Sequence, residues 1–200
     1  MFQSDARQDQ FVANMLQFKK DGYYVDIGGC HSTNSNNTFF FDSLGWKGIC
    51  VEIESQYNES YNNRKNCIYL NEDATKLDFG IIFKENNFPS VIDYLSLDID
   101  TLSLYVLSKL PLSEYKFRVI TIEHDAYLHG DKYKKEQRSI LEQFGYILIC
   151  SNVYVQQPGF NGDNCSFEDW WIKSDEFDDE LINKISSNNE YPSEIIKKFN

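Results

Sequence analysis

Six apolar runs that do not alternate with polar residues constrain this chain more than any other feature: Tyr23 to Ile27, Gly48 to Ile53, Cys67 to Leu70, Val91 to Leu97, Val119 to Ile122 and Tyr146 to Cys150. A strand that faces solvent on one side alternates, so unbroken runs of this length predict strands covered on both faces. Between them lie stretches that read as helices, Gln8 to Lys20, Thr38 to Leu44, Gln56 to Arg64, Leu102 to Leu110 and Lys132 to Phe144. Alternating strand and helix predicts a mostly parallel sheet joined by right-handed crossovers, a Rossmann-like three-layer α/β/α sandwich. Gly22, Gly45 and Gly145 each close a helical stretch ahead of a strand, where left-handed caps are expected. The Pro-Gly and Asn-Gly pairs after Cys150 predict turns, with room for one or two closing strands.

Two hundred residues suffice for one full core and for little beyond it. The expected division is one domain over residues 1–173, then an acidic helical extension or frayed tail over 174–200. Five cysteines without a C-x-x-C pair predict free thiols, with Cys50 and Cys150 buried among aliphatic neighbours. A formal net charge of -12 repels phosphate backbones and anionic lipids, which argues against nucleic acid or a membrane surface as partner and favours a small molecule. No stretch approaches the roughly 20 apolar residues of a membrane span, and the first ten residues lack the order of a secretory signal. The expectation is a cytoplasmic protein.

In an open parallel sheet the ligand lies beyond the carboxyl ends of the strands. Five consecutive runs end there in acids: Asp26, Glu52 with Glu54, Glu72 with Asp73, Asp98 with Asp100, and Glu123 with Asp125. Asp26-Ile27-Gly28-Gly29 supplies a sharp first corner where a ligand can lie against the main chain. The later glycines of a dinucleotide fingerprint are replaced by Cys30 and Thr33, so a carboxylate-bearing ligand fits better than a pyrophosphate. Glu52 stands at the distance from Gly28 expected of a ribose-binding acid. Asp73 is placed either to accept from an adenine amino group or to cap a helix.

These blocks resemble the FkbM-type family of S-adenosylmethionine-dependent methyltransferases. The resemblance runs in order through "SDARQDQFV", "YVDIGGCHSTNSNNTFFFDSLGWKGICVEIE", "VIDYLSLDID", "VITIEHDAY" and "FEDWWI". It implies S-adenosylmethionine as cofactor and methyl transfer to an oxygen of a sugar or glycan. Asp26, Gly28 and Gly29 would then line the methionine and ribose part, Glu52 the ribose and Asp73 the adenine, with Asn37, Ala74 and Asp98 also at the cofactor. Glu54 and "DIDTLSLY" depart from the family pattern.

Residues i and i+2 of a strand share a face, so Asp98 and Asp100 are expected to project together if the chain there stays extended. With Glu123 and Asp125 they offer oxygens to Mg²⁺; the expected ligands are Asp98, Glu123 and Asp125. Such an ion would lower the pKa of an acceptor hydroxyl, with Asp100 or His124 taking the proton. Trp170 and Trp171 form either a stacking wall for a sugar or part of the core. Asp98-Ile99-Asp100 also suits a glycosyltransferase holding a metal against a nucleotide sugar, and a methyltransferase-like binding module without turnover is the third alternative.

Overall fold

A computed structural model describes residues 1–156 and 164–199. In chain order the elements are α1 Gln8–Met15, β1 Tyr23–Ile27, α2 Phe39–Asp42, β2 Lys47–Val51, α3 Asn58–Tyr61, β3 Cys67–Leu70, α4 Phe79–Glu85, β4 Val91–Leu97 and α5 Ser103–Lys109. They continue with β5 Lys116–Glu123, α6 Ala126–His129, α7 Lys132–Gln143, β6 Tyr146–Val155, β7 Cys165–Lys173, α8 Asp179–Ile185, β8 Ser187–Asn188 and α9 Pro192–Lys197. The eight strands form one sheet in the order β3-β2-β1-β4-β5-β7-β6-β8. Every pairing is parallel except the two that β7 makes, with β5 and β6. The Rossmann-like sandwich is therefore the fold observed, with two buried apolar clusters in the chain.

The unalternating runs behave as burial on both faces requires: β1 and β4 are buried almost throughout. Val25 and Ile27 join one cluster while Tyr24 joins the other. Trp170 and Trp171 are fully buried on β7, and Trp170 packs against Phe11, 4.4 Å between ring centroids. They are core residues and form no wall for a sugar. All five cysteines are free, with Cys50 and Cys150 buried.

Several expectations are corrected. The first helix stops at Met15 because Gln17 and Phe18 turn left-handed, φ 51° and 52°. The stretch from Gln56 to Arg64 holds one turn of 3-10 helix and the four-residue α3. Gly45 and Gly145 take the left-handed cap, but Gly22 does not; Asp21 turns instead, at φ 55°. Gly22 is required by space, since a Cβ there would lie 2.5 Å from the Trp46 ring. Helix α4, capped by the Asp78 side chain on Ile81 N–H, has no counterpart in the apolar runs. The C-terminal stretch holds helices α8 and α9; Ile185 and Ile195 are fully buried, and β8 extends the sheet beside β6. The Pro-Gly and Asn-Gly turns lie outside the described residues. Among the described residues no helix is long and apolar enough to cross a membrane.

Candidate functional site

The parallel registers bring the acidic strand ends to one rim. Asp26 lies beside Cys50 on one neighbour and Ser96 on the other, which places Glu52 and Asp98 two residues beyond each. A cleft of about 290 Å³ opens there, lined by Gly28, Cys30, Glu52, Ile53, Asp73, Ala74, Asp98, Asp100 and Leu102 among others. Gly28 has φ 88°, and a Cβ on it would fall 1.9 Å from Asp98 O. The corner therefore closes directly onto the end of β4, and only glycine fits.

Glu52 is preset. Its Oε2 accepts from Cys30 N–H and its Oε1 from Glu54 N–H, both at 2.8 Å. Each oxygen keeps acceptor capacity for a ligand hydroxyl. Beside it Ile53 is 61% exposed, and Leu102, which also lines the cleft, is 52% exposed. Two large apolar side chains left open in one cleft make a slot suited to a flat ring. The sequence reading missed both, although the positions immediately after acidic strand ends are where such a signal lies.

Asp73 lines the cleft but is also a helix cap: its Oδ1 accepts from Thr75 N–H at 3.0 Å and from Thr75 Oγ1 at 2.6 Å. These bonds and the neighbouring Lys76 lower its pKa. Asp26, Gly29 and Asn37 are buried and lie outside the lining of this cleft. The buried Asp26 carboxyl accepts from Thr38 Oγ1 at 2.8 Å and Asn36 Nδ2 at 3.3 Å, and burial raises its pKa. Asn37 donates to Ser96 Oγ at 3.0 Å. A side chain on Gly29 would strike the Tyr61 hydroxyl and Asp26, so this glycine serves packing beneath the corner.

Arg64 organises that layer, and the sequence reading passed over it. The guanidinium is buried; Nε and Nη2 donate to Asp42 at 2.9 and 2.8 Å, and Nη2 to Tyr24 Oη at 2.7 Å. Its Nη1 reaches Asn36 Oδ1 and Thr38 Oγ1, both at 3.2 Å, and Ser32 O at 3.4 Å. Three anchor points of the loop after β1 thus converge on one cation.

Asp98 and Asp100 both line the cleft but are not presented by one extended strand. The strand ends at Leu97, and Asp100 turns left-handed at φ 50° to enter a 3-10 turn. The period-two argument does not apply, because the backbone is no longer extended at Asp100. The side chains that do assemble are Asp100, Glu123 and Asp125, each offering an oxygen within 4.8 Å of the others. Asp98 is outside this trio but next to it, hydrogen-bonded to Glu123. Glu123 Oε2 also accepts from Asp100 N–H at 2.7 Å. Burial, followed by the neighbouring carboxylates, raises Asp98 to about 6 and Glu123 to about 11. Both shifts favour a proton shared by the pair. A cation seated in the trio would have to displace it.

His124 is turned away from the rim. The residue is buried, its Nδ1 accepts from Ala126 N–H at 3.1 Å, and its Nε2 lies 3.5 Å from Asp169 on β7. It cannot receive a proton from a ligand in the cleft. Its place follows from a bulge: His124 and Asp125 N–H both donate to Phe167 O, at 2.7 and 2.9 Å, which twists the end of β5. A further buried acid, Glu168, lies across the strand pair from Glu123 and accepts from Trp170 Nε1 at 2.6 Å. Burial raises its pKa well above normal.

No protein-family model matches the chain, and no curated protein sequence matches it. Solved structures do. A suggested rRNA methylase from Clostridium thermocellum shares 13% identity at a TM-score of 0.54, over 86% of this chain and 99% of that one. A suggested O-methyltransferase from Klebsiella pneumoniae shares 11% at 0.54, over 84% and 80%. The 23S rRNA methyltransferase ErmE shares 10% at 0.55, over 93% and 76%. The chain therefore has the methyltransferase fold. Because two of these proteins are described as acting on rRNA, the fold gives no support to excluding a nucleic-acid acceptor, and the net charge alone carries that expectation.

Proposed function

We propose that the chain is an S-adenosylmethionine-dependent methyltransferase of the FkbM type that methylates a hydroxyl oxygen of a sugar or glycoconjugate. The observation that carries this reading is the preset Glu52 carboxylate beside the open Ile53 and Leu102 walls, on the rim where the acidic trio also stands. An electrophilic methyl group is what S-adenosylmethionine would supply. Glu52 would hold the ribose hydroxyls, Ile53 and Leu102 would sandwich the adenine with Asp73 and Ala74 at its edge, and Gly28 would let the remainder lie against the main chain. Asp26, Gly29 and Asn37 would act from beneath, by fixing the corner.

Asp98 and the trio lie at the far end of the cleft from Asp73. The attacking hydroxyl loses its proton as the oxygen–carbon bond forms, and Asp100, the exposed member of the trio, is the residue we assign to accept it. A divalent cation, if one is required, would be held by Asp100, Glu123 and Asp125, where it would lower the pKa of the acceptor hydroxyl. Calorimetric titration with S-adenosylhomocysteine tests the cofactor site, and formation of that product from S-adenosylmethionine with pooled saccharides, with and without EDTA, tests the reaction. Micromolar binding and saccharide-dependent turnover are expected. Failure to bind S-adenosylhomocysteine would overturn the reading, and turnover only with RNA would overturn the acceptor class.

A further inference from the structure

A cavity of about 670 Å³ lies outside the cleft. Its walls come from the N-terminal segment (Asp5, Arg7), the end of β6 (Tyr154, Val155) and the start of α9 (Tyr191). Strand β6 is antiparallel to β7, which is antiparallel to β5, so β6 ends on the same rim as β5 and its acidic trio. The cavity is tied to the cofactor corner as well: Ser35, in the loop after β1, donates to Asp5 Oδ1 at 2.9 Å.

The chain has four arginines. Arg64 is paired with Asp42, Arg118 with Glu176 and Asp93, and Arg138 with Asp169. Arg7 has no carboxylate partner among the described residues; its guanidinium donates to Gln10 Oε1 at a long 3.4 Å. In a chain of net charge -12 an arginine left over from ion pairing, exposed on a large cavity, is an available anion receptor. Tyr154 and Tyr191, edge to face at 5.8 Å, border the same space with ring surface.

We infer that this cavity is the acceptor's second anchoring point and that it takes a sugar unit carrying an anionic group, a carboxylate or a phosphate ester, on Arg7. The inference rests on the methyl-transfer reading for the role of the site, while the anion preference itself can be measured without it. The order of charges along the rim fixes the polarity of the ligand. The trio repels anions, so the reacting, uncharged hydroxyl faces Asp100 and the charged group lies at the β6 end. Two strand spacings separate β5 from β6, about 10 Å. The methylated unit and the charged unit are therefore different rings of an extended acceptor, and Asp5 offers oxygens to hydroxyls between them.

The test uses the whole chain saturated with S-adenosylhomocysteine, titrated calorimetrically with methyl β-D-glucuronide, glucose 1-phosphate and neutral methyl β-D-glucoside. The anionic probes are expected to bind at least tenfold more tightly than the neutral one, and the better of the two identifies the anion. Arg7→Gln, which keeps the same left-handed backbone (φ 60°) on an exposed side chain, should abolish the preference without changing affinity for S-adenosylhomocysteine or the melting temperature. Arg7→Lys should retain part of the preference, and Tyr154→Ala should weaken all three probes alike. Equal binding of charged and neutral probes, or a preference that survives in Arg7→Gln, overturns the inference. Loss of S-adenosylhomocysteine binding by the unaltered chain would instead strike the methyl-transfer reading, and the anion preference would still be scored from titrations without it.

Discussion

Replacing Arg64 with methionine tests whether one buried cation frames the cofactor corner. The substitution keeps most of the side-chain volume but removes every donor to Asp42, Tyr24, Asn36, Thr38 and Ser32. Removing one partner from a buried ion pair costs about 3–5 kcal/mol, most of it the uncompensated charge left behind. The Asp42 side chain retains 21% exposure, so water recovers part of its solvation. That places Arg64→Met near the low end, about 3 kcal/mol, which a domain of ordinary stability, about 5–15 kcal/mol, survives folded. Arg64→Lys keeps the charge and loses the fork, so about 1–2 kcal/mol is expected. Urea denaturation gives both values, with the exposed neighbour Lys65→Met as a control that should not move. Because three of the lost bonds hold the loop after β1, S-adenosylhomocysteine affinity should fall in parallel with stability. An unfolding free energy for Arg64→Met within about 1 kcal/mol of the parent, with cofactor affinity intact, would refute the frame.

Glu52→Ala should weaken S-adenosylhomocysteine binding by about 1–3 kcal/mol, and Glu52→Gln by less, since the amide oxygen still accepts while the charge is gone; an unchanged dissociation constant would place the ribose elsewhere. Asp98→Asn should raise stability at neutral pH. The folded carboxyl, raised to about 6, binds a proton that the unfolded chain has already released, so the parent loses stability as pH rises from about 4 through 6. The difference in unfolding free energy between Asp98→Asn and the parent should therefore grow across that window and be small below it. A difference that does not vary with pH would show that Asp98 is not held in a carboxyl pair.

The sheet was legible because burial on both faces leaves a mark in composition alone: Tyr23–Ile27, Cys67–Leu70 and Val91–Leu97 are read with the bounds the structure gives them. The acidic rim was legible for a related reason, since a parallel strand must exchange apolar for polar residues where it leaves the core. What was not legible depends on dihedral angles that composition does not fix. Asp98 and Asp100 leave the extended strand because Asp100 turns left-handed, and His124 is buried beside Asp169 where two successive N–H groups share Phe167 O. Nor does spacing reveal a side chain such as Arg64, whose partners on Tyr24, Ser32, Asn36, Thr38 and Asp42 meet only after the sheet has formed.

The same rim explains why the chain keeps so many carboxyls where each makes the others harder to ionise. Asp26, Asp98, Glu123, Asp125 and Glu168 all have raised pKa values, with burial the leading cause in each. Such a cluster weakens the ligand-free fold at neutral pH, because folding must either take up protons or hold like charges together. A protein that used the rim only for packing would be more stable with amides or aliphatic residues there. Positive charge brought to this end of the cleft, on a sulfonium or on a cation, relieves the repulsion. On the proposed reading, the stability withheld from the empty fold would return as selectivity for the sulfonium of S-adenosylmethionine over its neutral product.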